Sequence, residues 1–264
     1  AILASGGANI GWDQTTFWAG FARVSFGFTV GLVLYRLRGV VAGLGSRWLL
    51  PVVAVVLVLV ADGPKSAWWD TLAFAVVLPG IDDGVQDTAT AVQFITQLQH
   101  MGIKKIITTP HIIMDRYPNS RETMAGPYRE VTSALSAENI PVSFHHAAEY
   151  YMDEQFMPLL EKPLLTLSGN MVLVEIYFMS APPQLHQWLF DIQAAGYQPV
   201  LAHPERYGYY HKNFEVYRQL KQQGCLLQVN LLSLTGYYGK HVQLAAEKLM
   251  AGGLVDLTGT DLHH

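Results

Sequence analysis

The chain has 264 residues, 50% of them hydrophobic, a formal net charge of -4 and one cysteine, Cys225. That is enough apolar material for one large core or two smaller ones, whereas an acidic balance without basic clusters argues against a nucleic-acid surface and a lone thiol excludes both an internal disulfide and a thiolate metal site. Charged residues make up only 14%, against roughly 25% in ordinary soluble domains, so part of the chain is expected not to face water.

The deficit is local. Residues 1–81 carry five Lys/Arg, three Asp/Glu and no histidine, whereas residues 82–264 hold all ten histidines and most of the charge. Two physically different pieces are therefore expected, a hydrophobic helical segment over 1–78 and an α/β domain over 79–264. The chain opens at Ala1 without a charged, cleavable leader, so no signal peptide is expected and the natural start is expected to lie upstream. Phe17 to Leu37 is long and apolar enough to cross a bilayer if Arg23 is accommodated, and Arg36, Arg38 and Arg47 form a positive loop. Trp48 to Val60 is apolar throughout but falls short of the roughly 20 residues of a full span. Membrane contact through 17–60 is the expectation; a pair of buried helices is the alternative.

From Gly84 helices and strands alternate. Asp87 to Met101 reads as a helix, with Asp87 or Thr88 as N-cap, an Ala91/Ile95/Leu98 face and Gly102 as its stop. The strand Ile103 to Thr108 runs into Thr109-Pro110-His111. A helix over Arg121 to Glu138 is followed by a strand, Val142 to Ala148, ending at Glu149. Met171 to Val174 ends at Glu175, and a helix from Gln184 to Ala195 leads to the apolar run that stops at His203-Pro204-Glu205-Arg206. Helix Phe214 to Gln223, strand Cys225 to Val229 with Asn230 behind it, helix His241 to Ala251 and strand Leu254 to Thr258 complete the pattern, which closes on Asp261, His263 and His264.

Strands of a parallel sheet are buried on both faces, so the first polar residues beyond their carboxyl ends line the site. His111, Glu149, Glu175, His203, Asn230 and the Asp261/His263 pair are therefore expected on one rim, with Asp83 in the loop before them. Imidazole and carboxylate without thiolate suit manganese, iron or zinc, and carboxylates able to bridge favour more than one ion. Such ions activate water and neutralise a phosphoryl group, and Arg206 can fork two donors onto phosphate oxygens. Each residue taken singly has a structural role open to it: His111 in a turn, Glu149 as a cap, Glu175 in a pair with lysine, His263 and His264 at the surface. Glu175 resists that reading best, because a carboxylate beside Val172-Leu173-Val174 is costly without a cation or donors.

The motifs Leu78-Pro-Gly-Ile-Asp-Asp-Gly84, Thr109-Pro-His111, Ala148-Glu-Tyr-Tyr151, Val172-Leu-Val-Glu175, Leu201-Ala-His-Pro-Glu-Arg-Tyr207, Gln228-Val-Asn230 with Ser233-Leu-Thr-Gly236, and Gly259-Thr-Asp-Leu-His263 resemble, in order, the bacterial capsule and exopolysaccharide protein-tyrosine phosphatases of the polymerase-and-histidinol-phosphatase (PHP) superfamily. The resemblance implies a distorted (β/α) barrel of parallel strands. It also implies up to three divalent ions, often manganese, and hydrolysis of phosphotyrosine on a partner tyrosine kinase that regulates polysaccharide export in the cytoplasm. Carried over by residue, Asp83, His111, Glu149, Glu175, His203, Asp261 and His263 match metal ligands. Arg206 matches the phosphate-binding arginine, Asn230 is a substrate-binding candidate, and His203 or His263 can assist the leaving oxygen.

Two departures bear on activity. The family opens its first strand with His-x-His, where this chain has Phe74-Ala75-Val76, so fewer ions are expected here, and the family continues past Asp-x-His into a closing helix. The barrel is thus expected to be incomplete at both ends. Residues 1–78, in Phe17-Trp-Ala-Gly-Phe-Ala-Arg-Val24 and Trp69 to Pro79, resemble the carboxyl-terminal membrane helices of the acyltransferase-3 family, which predicts a natural or chimeric junction near Val77 to Gly80. A catalytically impaired phosphotyrosine- or kinase-binding module, a fragment of an acyl-transfer protein and another PHP phosphoesterase such as histidinol phosphatase are the alternatives. The Gln228-Val-Asn230 and Glu149-Tyr-Tyr151 contexts favour the tyrosine-phosphatase branch.

Overall fold

The computed structural model describes residues 73–75 and 78–261. The hydrophobic helices expected over 17–60, the junction residue Val77, and Val76, His263 and His264 lie outside the described residues. Among the described residues no helix is long and apolar enough to cross a membrane.

Strand β1 (Ala73–Ala75) pairs in parallel with β2 (Lys105–Thr108), setting Phe74 opposite Ile107. Between them runs α1 (Thr88–His100). Asp87 starts this helix because its extended backbone lets the carboxylate accept the Thr90 N–H at 2.8 Å, and burial of Ala91, Val92, Ile95 and Leu98 holds it to the sheet. Its exit needs a positive φ, which Gly102 supplies at 95°. Then β2 does not simply end at a loop. Pro110, which has no N–H to give a ladder, breaks it, and two residues later the chain resumes as β3 (His111–Ile112) in another sheet.

The same step is repeated next door. Helix α2 (Arg121–Ala137) begins at a capping box in which Ser120 and Thr123 satisfy each other's backbone N–H. It leads to β4 (Ser143–His146) beside β2, after which Ala147 and Ala148 carry the chain across to β5 (Glu149–Tyr151) beside β3. Bonds from Ala147 N to Thr108 O (2.8 Å) and Glu149 N to Pro110 O (3.0 Å) keep the two crossings in step. His111 and Glu149 therefore start strands of the second sheet, where the sequence reading set them just past the ends of the first.

The second sheet continues through β6 (Met171–Glu175), β7 (Gln198–Ala202), β8 (Leu226–Asn230) and β9 (Leu257–Gly259), interleaved with α3 (Leu185–Ala194), α4 (Glu215–Gln222) and α5 (Lys240–Ala251). The sheets have the orders β1-β2-β4 and β3-β5-β6-β7-β8-β9, and every pairing in them is parallel. At the far side β1 and β9 come within 8 Å of each other. The expected α/β class with parallel strands is thus what forms, as two sheets exchanging strands at two crossings. Ile107 of one sheet packs with Ala147, Leu167, Leu173, Val200 and Ala202 in a buried apolar cluster.

Candidate functional site

Strand register brings the acids and imidazoles together. The β3–β5 pairing sets His111 opposite Glu149, and the β5–β6 pairing sets Tyr151 opposite Glu175. From β7 the chain turns sharply at His203, whose φ of 33° and ψ of 56° are left-handed. A non-glycine residue held there is strained, and such strain persists where surrounding contacts fix it. Here His203 Nε2 lies 3.1 Å from Glu149 Oε1 and 3.2 Å from Glu175 Oε1, all three groups being buried.

His111 closes the cluster. One ligand atom each from His111, Glu149 and Glu175 lie within 4.8 Å of one another, and the same is true of Asp82, Asp83 and His111. The expected Asp83 stands 3.7 Å from His111 Nδ1. Its neighbour Asp82, which the sequence reading passed over, is closer and its side chain is fully buried: Oδ2 accepts from the His111 backbone at 2.8 Å and meets Nδ1 at 3.1 Å, while Oδ1 accepts from Gly84 N at 3.3 Å. The pair Asp82-Asp83 was legible; which acid turns inward was not, because a bend, not a helix or strand period, sets it.

Charge is balanced by protons. Burial alone would depress the His203 imidazole, but hydrogen bonds to Glu149 and Glu175 outweigh it and push its pKa up to about 10. His111 is raised to about 9, burial again being overcome by Asp82 and by the charges of Glu149 and Glu175. Glu175 is held below the usual carboxylate range: burial opposes this, but the His203 hydrogen bond and the charges of His203, His111 and Arg206 prevail. Buried carboxylates whose compensating charge consists of displaceable protons are what a divalent cation replaces. Among the described residues, one atom of this group also has no hydrogen-bond partner: the buried His203 Nδ1. The donor set therefore fits a hard or borderline cation.

A second cluster adjoins the first. Arg206, on the short 3-10 turn Pro204–Arg206, gives Nη1 to Asp261 Oδ2 at 3.1 Å. That same oxygen accepts from Asn230 Nδ2 at 2.5 Å and from the Tyr238 hydroxyl at 3.2 Å, and Asp261 is itself left-handed at a φ of 52°. Asn230 has its other amide atom engaged as well, accepting from Gln228 Nε2 at 2.9 Å. Both polar atoms of the Asn230 side chain thus make bonds within the protein. The rings of Phe178 and Tyr238 flank the guanidinium, with centroids 4.9 and 4.8 Å from its central carbon.

Beneath this cluster lies an acid the sequence reading did not single out. Glu205 is fully buried, and its Oε1 accepts from Asn230 N at 2.9 Å and Ser233 Oγ at 2.5 Å. Burial raises its pKa, against the opposing effect of the Ser233 bond and the His203 charge, while Oε2 has no hydrogen-bond partner among the described residues. The sequence signal was present, since Glu205 sits between two chosen residues, but a turn gave no reason to expect it inside.

Three comparisons place this geometry among known proteins. A family model described as capsular polysaccharide synthesis, CpsB/CapC, matches residues 73–264, starting at the first residue of β1. The tyrosine-protein phosphatase YwqE of Bacillus subtilis is 29% identical over 190 residues, covering 71% of this chain and 75% of that protein. The tyrosine-protein phosphatase CpsB of Streptococcus pneumoniae is 25% identical over 191 residues, covering 70% and 79%. A solved structure from work on YwqE and CpsB, described as unique metal-dependent tyrosine phosphatases, superposes with a TM-score of 0.68 at 28% identity, covering 74% of this chain and 79% of that one. With its family match spanning most of its length, and with the parallel strands that bring imidazoles and carboxylates together, the chain belongs to the CpsB/CapC family of capsular polysaccharide synthesis proteins.

Proposed function

We propose that this chain is a metal-dependent phosphomonoester hydrolase of the protein-tyrosine-phosphatase type. The observation that carries the reading is the His203 imidazole set 3.1 and 3.2 Å from two buried carboxylates, beside an arginine flanked by aromatic rings, in a chain whose relatives are named tyrosine phosphatases. Asp83, His111, Glu149, Glu175 and His203 would hold divalent ions, with Asp261 and His263 as further ligands. Manganese is our choice, ahead of iron or zinc, because oxygen donors outnumber imidazoles. When bound, such ions supply positive charge opposite a phosphoryl group and lower the pKa of water.

The protein's own part is binding and orientation. Arg206 takes phosphate oxygens through its remaining N–H groups, held in plane by Asp261 and laterally by Phe178 and Tyr238. Asp82 fixes the His111 ring and backbone together. Delivery of a proton to the leaving oxygen falls to whichever of His203 and His263 does not hold an ion. The substrate is phosphotyrosine on a tyrosine kinase of capsule or exopolysaccharide synthesis, met on the cytoplasmic side. Membrane contact through residues 17–60 would keep the phosphatase domain near that kinase.

The test is release of inorganic phosphate from a phosphotyrosine peptide by the purified full chain with manganese. Release abolished by a chelator and restored by the metal supports the reading, and release indifferent to the chelator overturns it. Phe74 and Val76, standing where the family's first strand has His-x-His, favour a second reading, a binding module with impaired turnover. Equilibrium binding of the phosphopeptide without hydrolysis, with hydrolysis gained in a Phe74→His/Val76→His variant, would establish it.

A further inference from the structure

The loop after β6 carries three consecutive exposed apolar residues, Tyr177, Phe178 and Met179. Surface hydrophobes scattered singly need no explanation, but a run of three beside a polar site does. This loop is anchored at two points. Ile176 N donates to the Tyr207 hydroxyl at 3.1 Å, and the Tyr209 hydroxyl donates to Tyr177 O at 2.7 Å. Both tyrosines belong to the segment that carries His203 and Arg206, so that segment sets the position of Phe178 relative to them.

The result is a ring placed between the two clusters. Phe178 stacks on the His203 imidazole with centroids 5.5 Å apart and planes at 22°, meets Tyr207 at 5.6 Å, and lies 4.9 Å from the Arg206 guanidinium carbon. Despite these contacts it is 37% exposed. A phosphate that reaches the N–H edge of Arg206 brings its ester group alongside the open part of this ring. A flat aromatic ester gains a stacking partner there; an alkyl ester of serine or threonine is too short to cover it.

Resting on the phosphatase reading above, we propose that Phe178 is a specificity-determining residue, whose exposed ring selects aromatic over alkyl phosphomonoesters at the Arg206 site. Tyr238, 4.8 Å from the same guanidinium carbon, spends its hydroxyl on Asp261 and is held in place by that bond.

The experiment uses the full chain with manganese, and compares Phe178→Leu and Phe178→Trp with the wild type. The readouts are kcat/KM for matched phosphotyrosine and phosphoserine peptides, and competitive inhibition by phenylphosphonate against methylphosphonate. Aromatic pairs contribute enough to predict that Phe178→Leu lowers the phenyl-to-methyl inhibition ratio and the tyrosine-to-serine kcat/KM ratio by roughly fivefold, mainly through KM and the inhibition constant, and that Phe178→Trp restores both. Ratios unchanged in Phe178→Leu overturn the assignment while leaving the phosphatase reading intact. A wild type that hydrolyses neither peptide and binds neither phosphonate overturns both together.

Discussion

Arg206 and Asp261, 55 residues apart in sequence, meet at 3.1 Å, and the carboxylate oxygen they share also takes Asn230 and Tyr238. That bond and the two nearby rings restrain the guanidinium, and in the proposed function its other N–H groups would take phosphate oxygens. Lysine cannot reproduce this, having no planar fork and no flat face for Phe178 and Tyr238. Arg206→Lys is expected to lower kcat/KM for a phosphotyrosine peptide by roughly a hundredfold, the loss typical of one aligned charge-stabilising donor, with metal content unaltered. Metal loss in parallel with activity would instead make Arg206 part of the ion site.

Glu175 meets His203 at 3.2 Å and clusters with His111 and Glu149 in the proposed ion site. Glu175→Gln keeps the shape and removes the charge. Metal affinity measured by competition with a chromogenic chelator should fall at least ~100-fold, since even partners one shell further out cost 10–100-fold. Equal manganese content in variant and parent after dialysis would remove Glu175 from the site.

Glu205 separates charge from hydrogen bonding. Burial raises its pKa, and one oxygen accepts from Asn230 N and Ser233 Oγ, bonds that an amide oxygen can equally accept. Glu205→Gln should change stability little, whereas Glu205→Ala strands two buried donors and should cost about 2–3 kcal/mol in urea unfolding. Equal losses in both variants would show that the charge itself matters.

His146 gives a pH effect away from the ion site. It is half-buried against Tyr128, ring centroids 4.2 Å apart, and burial, with Arg121 and His145 nearby, lowers its pKa. Because the folded value lies below the unfolded one of about 6.5, its contribution to stability is present above that pH and is lost as pH falls through the folded value. The urea midpoint should therefore drop less between pH 7.5 and pH 5 in His146→Gln than in the parent. Identical drops would exclude His146 as a source of acid sensitivity.

Cys225 is buried on the chain leading into β8, and burial pushes its thiol up to about 12. In the folded protein at pH 8 it should resist iodoacetamide for hours, and react within minutes in guanidinium chloride. Rapid labelling of the native chain would mean that β8 opens easily.

Most element positions were legible because local chemistry sets them. The Asp87 cap and Gly102 exit bound α1 one residue inside the expected limits at each end, and the apolar runs into Glu175 and His203 formed strands. The strands His111–Ile112 and Glu149–Tyr151 were not legible. Two or three residues carry no period, and their identity as strands exists only through pairing with each other and with β6.

For the candidate site, the sequence by itself determined which chemistry was available: acids and imidazoles at the margins of apolar runs, whose cost of burial demands a cation or donors. Tertiary structure decided the distribution. It turned Asp82 inward beside Asp83, buried Glu205 under the turn, joined Asp261 to Arg206, and laid Phe178 across His203 and Arg206. Those relations depend on parallel register and on left-handed backbone at His203 and Asp261, positions that carry no glycine. Neither has a residue-level signature, because each is fixed by partners dozens of positions away.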